Sequence, residues 1–169
     1  MTQSILKNDL YKVITSQEKR ISRLENSLNN ITYLQLFKTV AQSIPNVTFT
    51  AVTWDSINAG TLSGKRMFDL SDPSKITVRN SGIFGITTSF TWAASAGGDL
   101  RYVNLGKNLV AQIEDRQAVP GGHNSTNSIS QIFDLNKDDE IIFNSYQDSG
   151  GALDIINGRF HIYLLDKNV

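Results

Sequence analysis

The sequence predicts a mainly β protein: a jelly-roll β-sandwich head preceded by an N-terminal α-helical coiled coil. Two observations lead there. Leu10, Ile14, Gln17, Ile21, Leu24, Leu28 and Ile31 are spaced alternately four and three residues apart, which lines one face of a helix that packs against copies of itself. From about Val47 onward the apolar period drops to two, the period of strands, and Gly, Asn, Asp and Ser clusters punctuate the chain at short intervals. The expected division is a stalk and neck over residues 1–43 and a head over residues 44–169.

In the stalk, Ile14, Ile21 and Leu28 fall at heptad position a, and Leu10, Gln17, Leu24 and Ile31 at d. Arg20 at g and Glu25 at the following e are placed to pair between neighbouring helices. The stripe covers two positions in seven, narrower than a helix packed on its own globular core usually shows. Gln17 is a polar layer that fixes register. Isoleucine at a with leucine at d leans towards dimers and Ile31 at d does not, so the heptads give a parallel oligomer without a number. Residues 31–41, I-T-Y-L-Q-L-F-K-T-V-A, are apolar on too many sides for an exposed coil. They are expected as a continued helix or an extended neck, ended near Ser43-Ile44-Pro45 because proline disfavours a helical residue before it.

In the head, Val47 to Trp54 and Lys75 to Arg79 alternate. Between Gly82 and Ala93, Phe84, Ile86, Phe90 and Trp92 share one strand face while Thr87, Ser89 and Thr91 share the other. Residues 100–105 and 109–113 flank Gly106-Lys107-Asn108, a hairpin signal. Further strands are expected at Ser128 to Leu135, Glu140 to Gln147 and Arg159 to Leu165. Some eight to ten short strands with no helical pattern between them give a sandwich or barrel, with a jelly roll as the best single choice.

Composition bounds the chemistry. Sixteen basic and sixteen acidic residues cancel, so no broad field attracts nucleic acid or an anionic membrane. The absence of cysteine removes disulfides, thiolate metal sites and cysteine nucleophiles. No run approaches the roughly 20 apolar residues that span a bilayer, so no membrane insertion is expected. The opening M-T-Q-S-I-L-K lacks a signal-peptide core, giving the expectation of a chain made in a cytoplasm.

Catalytic and cofactor motifs fail on spacing. Gly60 and Gly64 before Lys65-Arg66 are one residue too close for a phosphate loop, and Arg66 stands where Ser or Thr is needed. Asp134, Asn136 and Asp138 have calcium-loop spacing, but Asp139 replaces the required glycine and Ser145 the bidentate glutamate. His123 and His161 have no acid at ligand spacing, and no G-x-S-x-G elbow occurs. The expectation is therefore no enzyme, no metal and no cofactor. His161 alternates with Phe160 and Ile162 and reads as structural, on a face suited to a subunit interface.

What remains is the loops, since binding residues collect on loops held by a rigid scaffold. Residues 92–99, 116–127 and 147–151 are rich in Gly, Ser, Asn and Asp. The ligand-binding candidates are Trp92, Asp99, Arg101, His123, Asn124, Gln147 and Asp148. An aromatic beside amides and carboxylates suits a sugar, whose apolar face stacks while its hydroxyls need hydrogen bonds. Trp92 is the candidate for that aromatic, although its alternation with Phe84 and Phe90 favours core burial.

An ordered set of short motifs adds a resemblance. Gln42-Ser43-Ile44-Pro45-Asn46, then Thr48-x-Thr50-x-Val52-x-Trp54-Asp55 and Phe68-Asp69-Leu70, resemble the opening of complement-type globular heads in bacteriophage and bacterial proteins. Residues 74–87, Gly98-Asp99-Leu100-Arg101 and Leu135-Asn136-Lys137-Asp138 resemble their central strands and turns, with Phe84 where tyrosine is usual and Lys137 where glycine is. Gln147 to Leu153 and Phe160 to Leu165 resemble the last two strands. Over residues 42–166 this likeness to the complement and tumour-necrosis-factor superfamily implies a ten-stranded jelly roll in a tight homotrimer. It implies a trimeric phage fibre or receptor-binding protein on the virion surface, made in the host cytoplasm. Its N-terminus would meet a virion attachment protein and its head a host surface glycan or protein. The alternatives are a structural decoration or head-fibre protein, and a bacterial surface trimer of the same kind.

Overall fold

A computed structural model describes residues 11–22, 33–58, 66–118 and 121–166. The chain divides into two compact units, Met1–Ile31 and Thr32–Val169. In the first unit, residues 11–22 form an α-helix, α1, in which Thr15 Oγ1 donates to the Tyr11 carbonyl. Ile14, Gln17 and Ile21 lie on it at the heptad spacing, and Ile14 and Ile21 are 47% and 53% exposed. The other heptad positions, Leu10, Leu24, Leu28 and Ile31, lie outside the described residues.

The second unit is a sandwich of two antiparallel sheets. Its strands are β1 (Tyr33–Lys38), β2 (Gln42–Ile44), β3 (Thr50–Ala51), β4 (Ser56–Ile57), β5 (Lys75–Thr77), β6 (Gly82–Trp92), β7 (Leu100–Lys107), β8 (Val110–Ala118), β9 (Ser125–Leu135), β10 (Glu140–Gln147) and β11 (Leu153–Asp166). The first sheet runs β4-β1-β11-β6-β9, with β2 also on β11; the second runs β3-β10-β7-β8, with β5 also on β10. Apart from the β7–β8 hairpin, neighbours in each sheet are not consecutive in the chain, the pattern of a jelly roll.

The inward faces follow the alternation. Leu34, Leu36, Phe84, Ile86, Phe90, Phe160 and Ile162 from the first sheet meet Val103, Leu105, Ile141 and Phe143 from the second, all fully buried. Trp54 sits at the centre, with ring centroids 5.3 Å from Phe90, 5.9 Å from Phe143 and 5.8 Å from Phe160. Each such aromatic contact adds about 0.5–1.5 kcal/mol beyond area burial.

Three local expectations are corrected. Residues 33–38 are not a neck: Tyr33 to Lys38 pair with Tyr163 to Gly158, so the head begins some ten residues before position 44. The alternation Y-L-Q-L-F-K, with Leu34 and Leu36 inward, carries that signal. Of Val47 to Trp54, only Thr50–Ala51 is ladder-paired, and Val47 takes a left-handed φ of 52° where the chain turns before it. The hairpin after β7 turns on Asn108 and Leu109, with φ 51° and 68°, one residue later than its glycine suggests.

Candidate functional site: the loop end and the outer sheet face

The ladder registers place the loops. Tyr33, where β1 begins, lies in one rank with Tyr163, Gly85 and Ile132, near the end of the first sheet marked by the Gly82–Leu135 pair. The opposite end carries the Trp92–Ser125 pair. There four segments converge: 45–49, 93–99, 121–124 and 148–152. Gly122 N donates to the Ser95 carbonyl (3.3 Å), and Asp148 Oδ1 accepts from Asp99 N (2.8 Å) and Leu100 N (2.9 Å). Asn46 Oδ1 accepts from Gly150 N (2.9 Å), and Val47 N donates to the Gln147 carbonyl. Gly98, at φ 79°, packs so closely on Asp148 that a side chain there would overlap it.

The sequence-derived candidates separate into scaffold and surface. Trp92 is fully buried, and its indole donates to Asn127 Oδ1 (2.7 Å). Arg101 is buried as well; its guanidinium donates to the carbonyls of Leu100 and Gly97 (3.0 Å each) and lies 3.8 Å from Asp148. Burial draws the guanidinium below its ordinary pKa, and Asp148 opposes that shift. Gln147, fully buried, donates to the carbonyls of Ile44 and Gly151 and accepts from Ser149 N and Oγ. These three residues shape the loops and present nothing to a ligand. Asp99, His123 and Asn124 are exposed at the loop end, and Asp148 is half-buried beneath them.

Asn127 is a scaffold residue that sequence reasoning missed. Fully buried, it also donates from Nδ2 to the Asp115 carboxylate (2.9 Å), while Ser128 N donates to the same carboxylate (2.9 Å). This ties β8 of one sheet to β9 of the other. An Asn-Ser pair in a polar strand carries no local signal of that role.

The outer face of the first sheet is the second feature. Cross-strand ranks read Tyr33–Tyr163–Gly85–Ile132, Gln35–His161–Thr87–Ser130 and Phe37–Arg159–Ser89–Ser128. Here aromatic and apolar side chains stand beside glycine, serine and threonine. The Tyr163 ring lies over Gly85, where an added Cβ would come 2.5 Å from it. Asn58 Nδ2 donates to Gln35 Oε1 (2.6 Å), which orients the amide so that Gln35 Nε2 donates to His161 Nε2 (2.7 Å). That nitrogen must therefore be unprotonated. Burial, with Arg159 nearby, lowers the His161 pKa in agreement. His161 is thus a structural member of this face; Tyr33, Gln35 and Phe37 join it because the neck is a strand.

The calcium-like turn is accounted for internally. Asp139 is held below the ordinary carboxylate pKa: burial acts against this, but Lys107 Nζ (2.8 Å), Asn108 Nδ2 (2.7 Å) and Asn136 N (2.8 Å) outweigh it. Gly60, Gly64 and Lys65 lie outside the described residues. Among the described residues no three His, Asp or Glu side chains converge as metal ligands, and no helix is long and apolar enough to cross a membrane.

No family model matches the sequence, and no curated protein does. Solved structures do match. The globular domain of zebrafish complement 1qA protein superimposes with a TM-score of 0.59 at 12% identity, covering 81% of this chain and 99% of that one. The Eiger TNF of S. frugiperda gives 0.57 at 8% identity, covering 82% and 95%. The second unit of this chain therefore has the jelly-roll fold of complement and tumour-necrosis-factor heads.

Proposed function

We propose that the chain is a homotrimeric, non-enzymatic binding head: the fibre or receptor-binding protein of a bacteriophage particle, attached through its helical N-terminus and recognising a host surface molecule. The carrying observation is the outer face of the first sheet. Tyr33, Phe37, Tyr163 and Ile132 stand beside Thr87 and Ser89, with Arg159 the one charged side chain in these ranks, giving a largely uncharged, partly aromatic surface suited to self-association. The apolar heptad residues Ile14 and Ile21, exposed on α1, support the same assembly. Three heads held rigidly together gain avidity from individually weak contacts. The motifs shared with heads of bacteriophage and bacterial proteins suggest the particle setting.

Sedimentation of the full chain tests the assembly. The expected species has three times the 18.7 kDa chain mass, and a monomer at micromolar concentration overturns the proposal. Particles carrying only residues 1–31 of the protein should stay intact and lose host attachment. Intact attachment with fragile particles would instead favour the structural decoration reading.

A further inference from the structure

The outer face of the second sheet carries an aromatic platform that neither the core nor the loop scaffold uses. Because Val103, Leu105, Ile141 and Phe143 point inward, the alternate residues of β7 and β10 point out. The registers align them in two ranks, Tyr146–Tyr102–Arg116 and Asn144–Asn104–Glu114, in which Tyr102 and Asn104 are covered by their neighbours and Tyr146 and Asn144 are half-buried. Phe49 folds over the first rank, 5.1 Å from the Tyr146 ring and 5.5 Å from the Tyr102 ring, yet stays 60% exposed. Arg116 covers the far side of Tyr102 at 5.1 Å.

Three properties point to a ligand. First, the polar groups are ordered in one chain across three strands. Asn144 Nδ2 donates to Asn104 Oδ1 (3.3 Å), Asn104 Nδ2 to Tyr102 Oη (3.2 Å), Tyr102 Oη to Glu114 Oε2 (2.7 Å), and Arg116 Nε pairs with Glu114 Oε1 (2.8 Å). Second, acceptor capacity remains at the Asn144 end and beside it: among the described residues no side-chain hydrogen bond is made by Asn144 Oδ1, or by Tyr146 Oη in the adjoining rank. Third, Phe49 lies on the side of its segment opposite the buried Val52 and Trp54, and the segment is entered through an unusual backbone turn. Val47, two residues earlier, is β-branched and exposed at φ 52°, a conformation that costs energy and persists where surrounding contacts impose it.

We propose that this platform binds a neutral pyranose ring, its apolar face stacked on Phe49 and its hydroxyls bonded to Asn144, Tyr146 and Arg116. The charges decide the class. Arg116 and Glu114 neutralise one another, which leaves no net field for an anionic ligand. Planar amide and guanidinium groups beside an open aromatic ring match the two faces of a sugar, one of C–H bonds and one of hydroxyls. The inference rests on the reading of the head as a host-surface binder and names its site. The site borders the loop end, because the Tyr146–Tyr102 rank adjoins the Gln147–Arg101 rank.

The test is titration of isotope-labelled full-length protein with methyl glycosides of glucose, galactose, mannose and N-acetylglucosamine, read by backbone amide shifts. Shifts confined to the neighbourhood of Phe49, Tyr102, Tyr146 and Arg116 are expected for at least one sugar. Phe49→Ala should weaken that binding about tenfold or more, and Phe49→Tyr should retain it. Phe49 is exposed, so both variants should keep the unperturbed spectrum elsewhere. Shifts around Asp99, His123 and Asn124 instead would overturn the platform while leaving the host-binding reading intact. Platform shifts produced by a proline-rich peptide but by no sugar would overturn the ligand class. No response to any glycoside from a correctly assembled trimer removes the sugar site; a monomer removes the assembly on which the wider reading depends.

Discussion

Two tryptophans lie in the core, and they differ in what their indole N–H meets. Trp92 donates to Asn127, whereas Trp54 Nε1 has no partner and is the one buried side-chain polar atom left unpaired among the described residues. Replacing either by Phe removes similar volume. Trp92→Phe also strands a buried amide oxygen, while Trp54→Phe removes an unpaired donor. Trp92→Phe should therefore cost about 1–3 kcal/mol more than Trp54→Phe, measured as the difference in chemical-denaturation free energies. Equal losses would mean that the Trp92–Asn127 bond contributes nothing net. Trp92 also marks how far residue types can be read in sequence. Its alternation with Phe84 and Phe90 announced the core, but its likeness to a stacking aromatic pulled the other way, and only the pairing of β6 with β9 decides between them. Arg101 and Gln147 show the same limit: polar residues near a glycine-rich loop look like ligands when long-range contacts make them staples. Phe49 is the converse case, an aromatic that alternation places outside, opposite the buried Val52 and Trp54.

At the level of elements, strands with one buried face were legible because their period survives any partner. β6, β7, β9 and β10 lie where alternation puts them. β1 was not, because an apolar run directly after a heptad pattern suits a neck as well as a strand, and the deciding fact is its pairing with β11 at the far end of the sequence. Turn chemistry was partly legible. The β7–β8 hairpin places Asn108 and Leu109 both at positive φ, the geometry for which Asn-Gly is the preferred pair. Leu109 is 84% exposed, so replacing it sacrifices little burial. Leu109→Gly should raise stability by roughly 1 kcal/mol, seen as a higher denaturant midpoint at unchanged slope. No gain would show that the side chain has a contact in the assembled protein that outweighs its backbone strain. Asn108 should not tolerate the same change, since its side chain bridges to Asp139 (2.7 Å) and to Glu140 N (2.8 Å).

For the whole molecule, the outer face of the first sheet couples stability to pH. His161 Nε2 accepts from Gln35, Tyr33 meets its ring edge-on at 6.2 Å, and Arg159 adds positive charge, so the folded state favours the neutral imidazole. With the folded pKa below the unfolded value of about 6.5, the unfolded chain binds more protons in that interval. Stability from this group is therefore complete above about pH 6.5 and declines as pH falls towards the lower folded value. A separate loss follows below about pH 4. There Asp55 protonates: burial alone would raise its pKa, but hydrogen bonds from Thr39 and Val40 and the charge of Lys38 hold it down. Thermal melts between pH 7 and 5 should show the first decline in the native protein and not in His161→Gln. If that face joins protomers, the dissociation constant should rise over the same interval, which sedimentation at pH 7 and 5.5 measures. Gly85→Ala is the pH-independent counterpart. Its methyl group must displace the far end of the Tyr163 side chain, which is 38% exposed, so the head should stay folded while association weakens by about tenfold or more. A folded, fully associated Gly85→Ala protein would place the interface elsewhere, because a surface that accommodates a displaced tyrosine without loss is not one on which three copies pack.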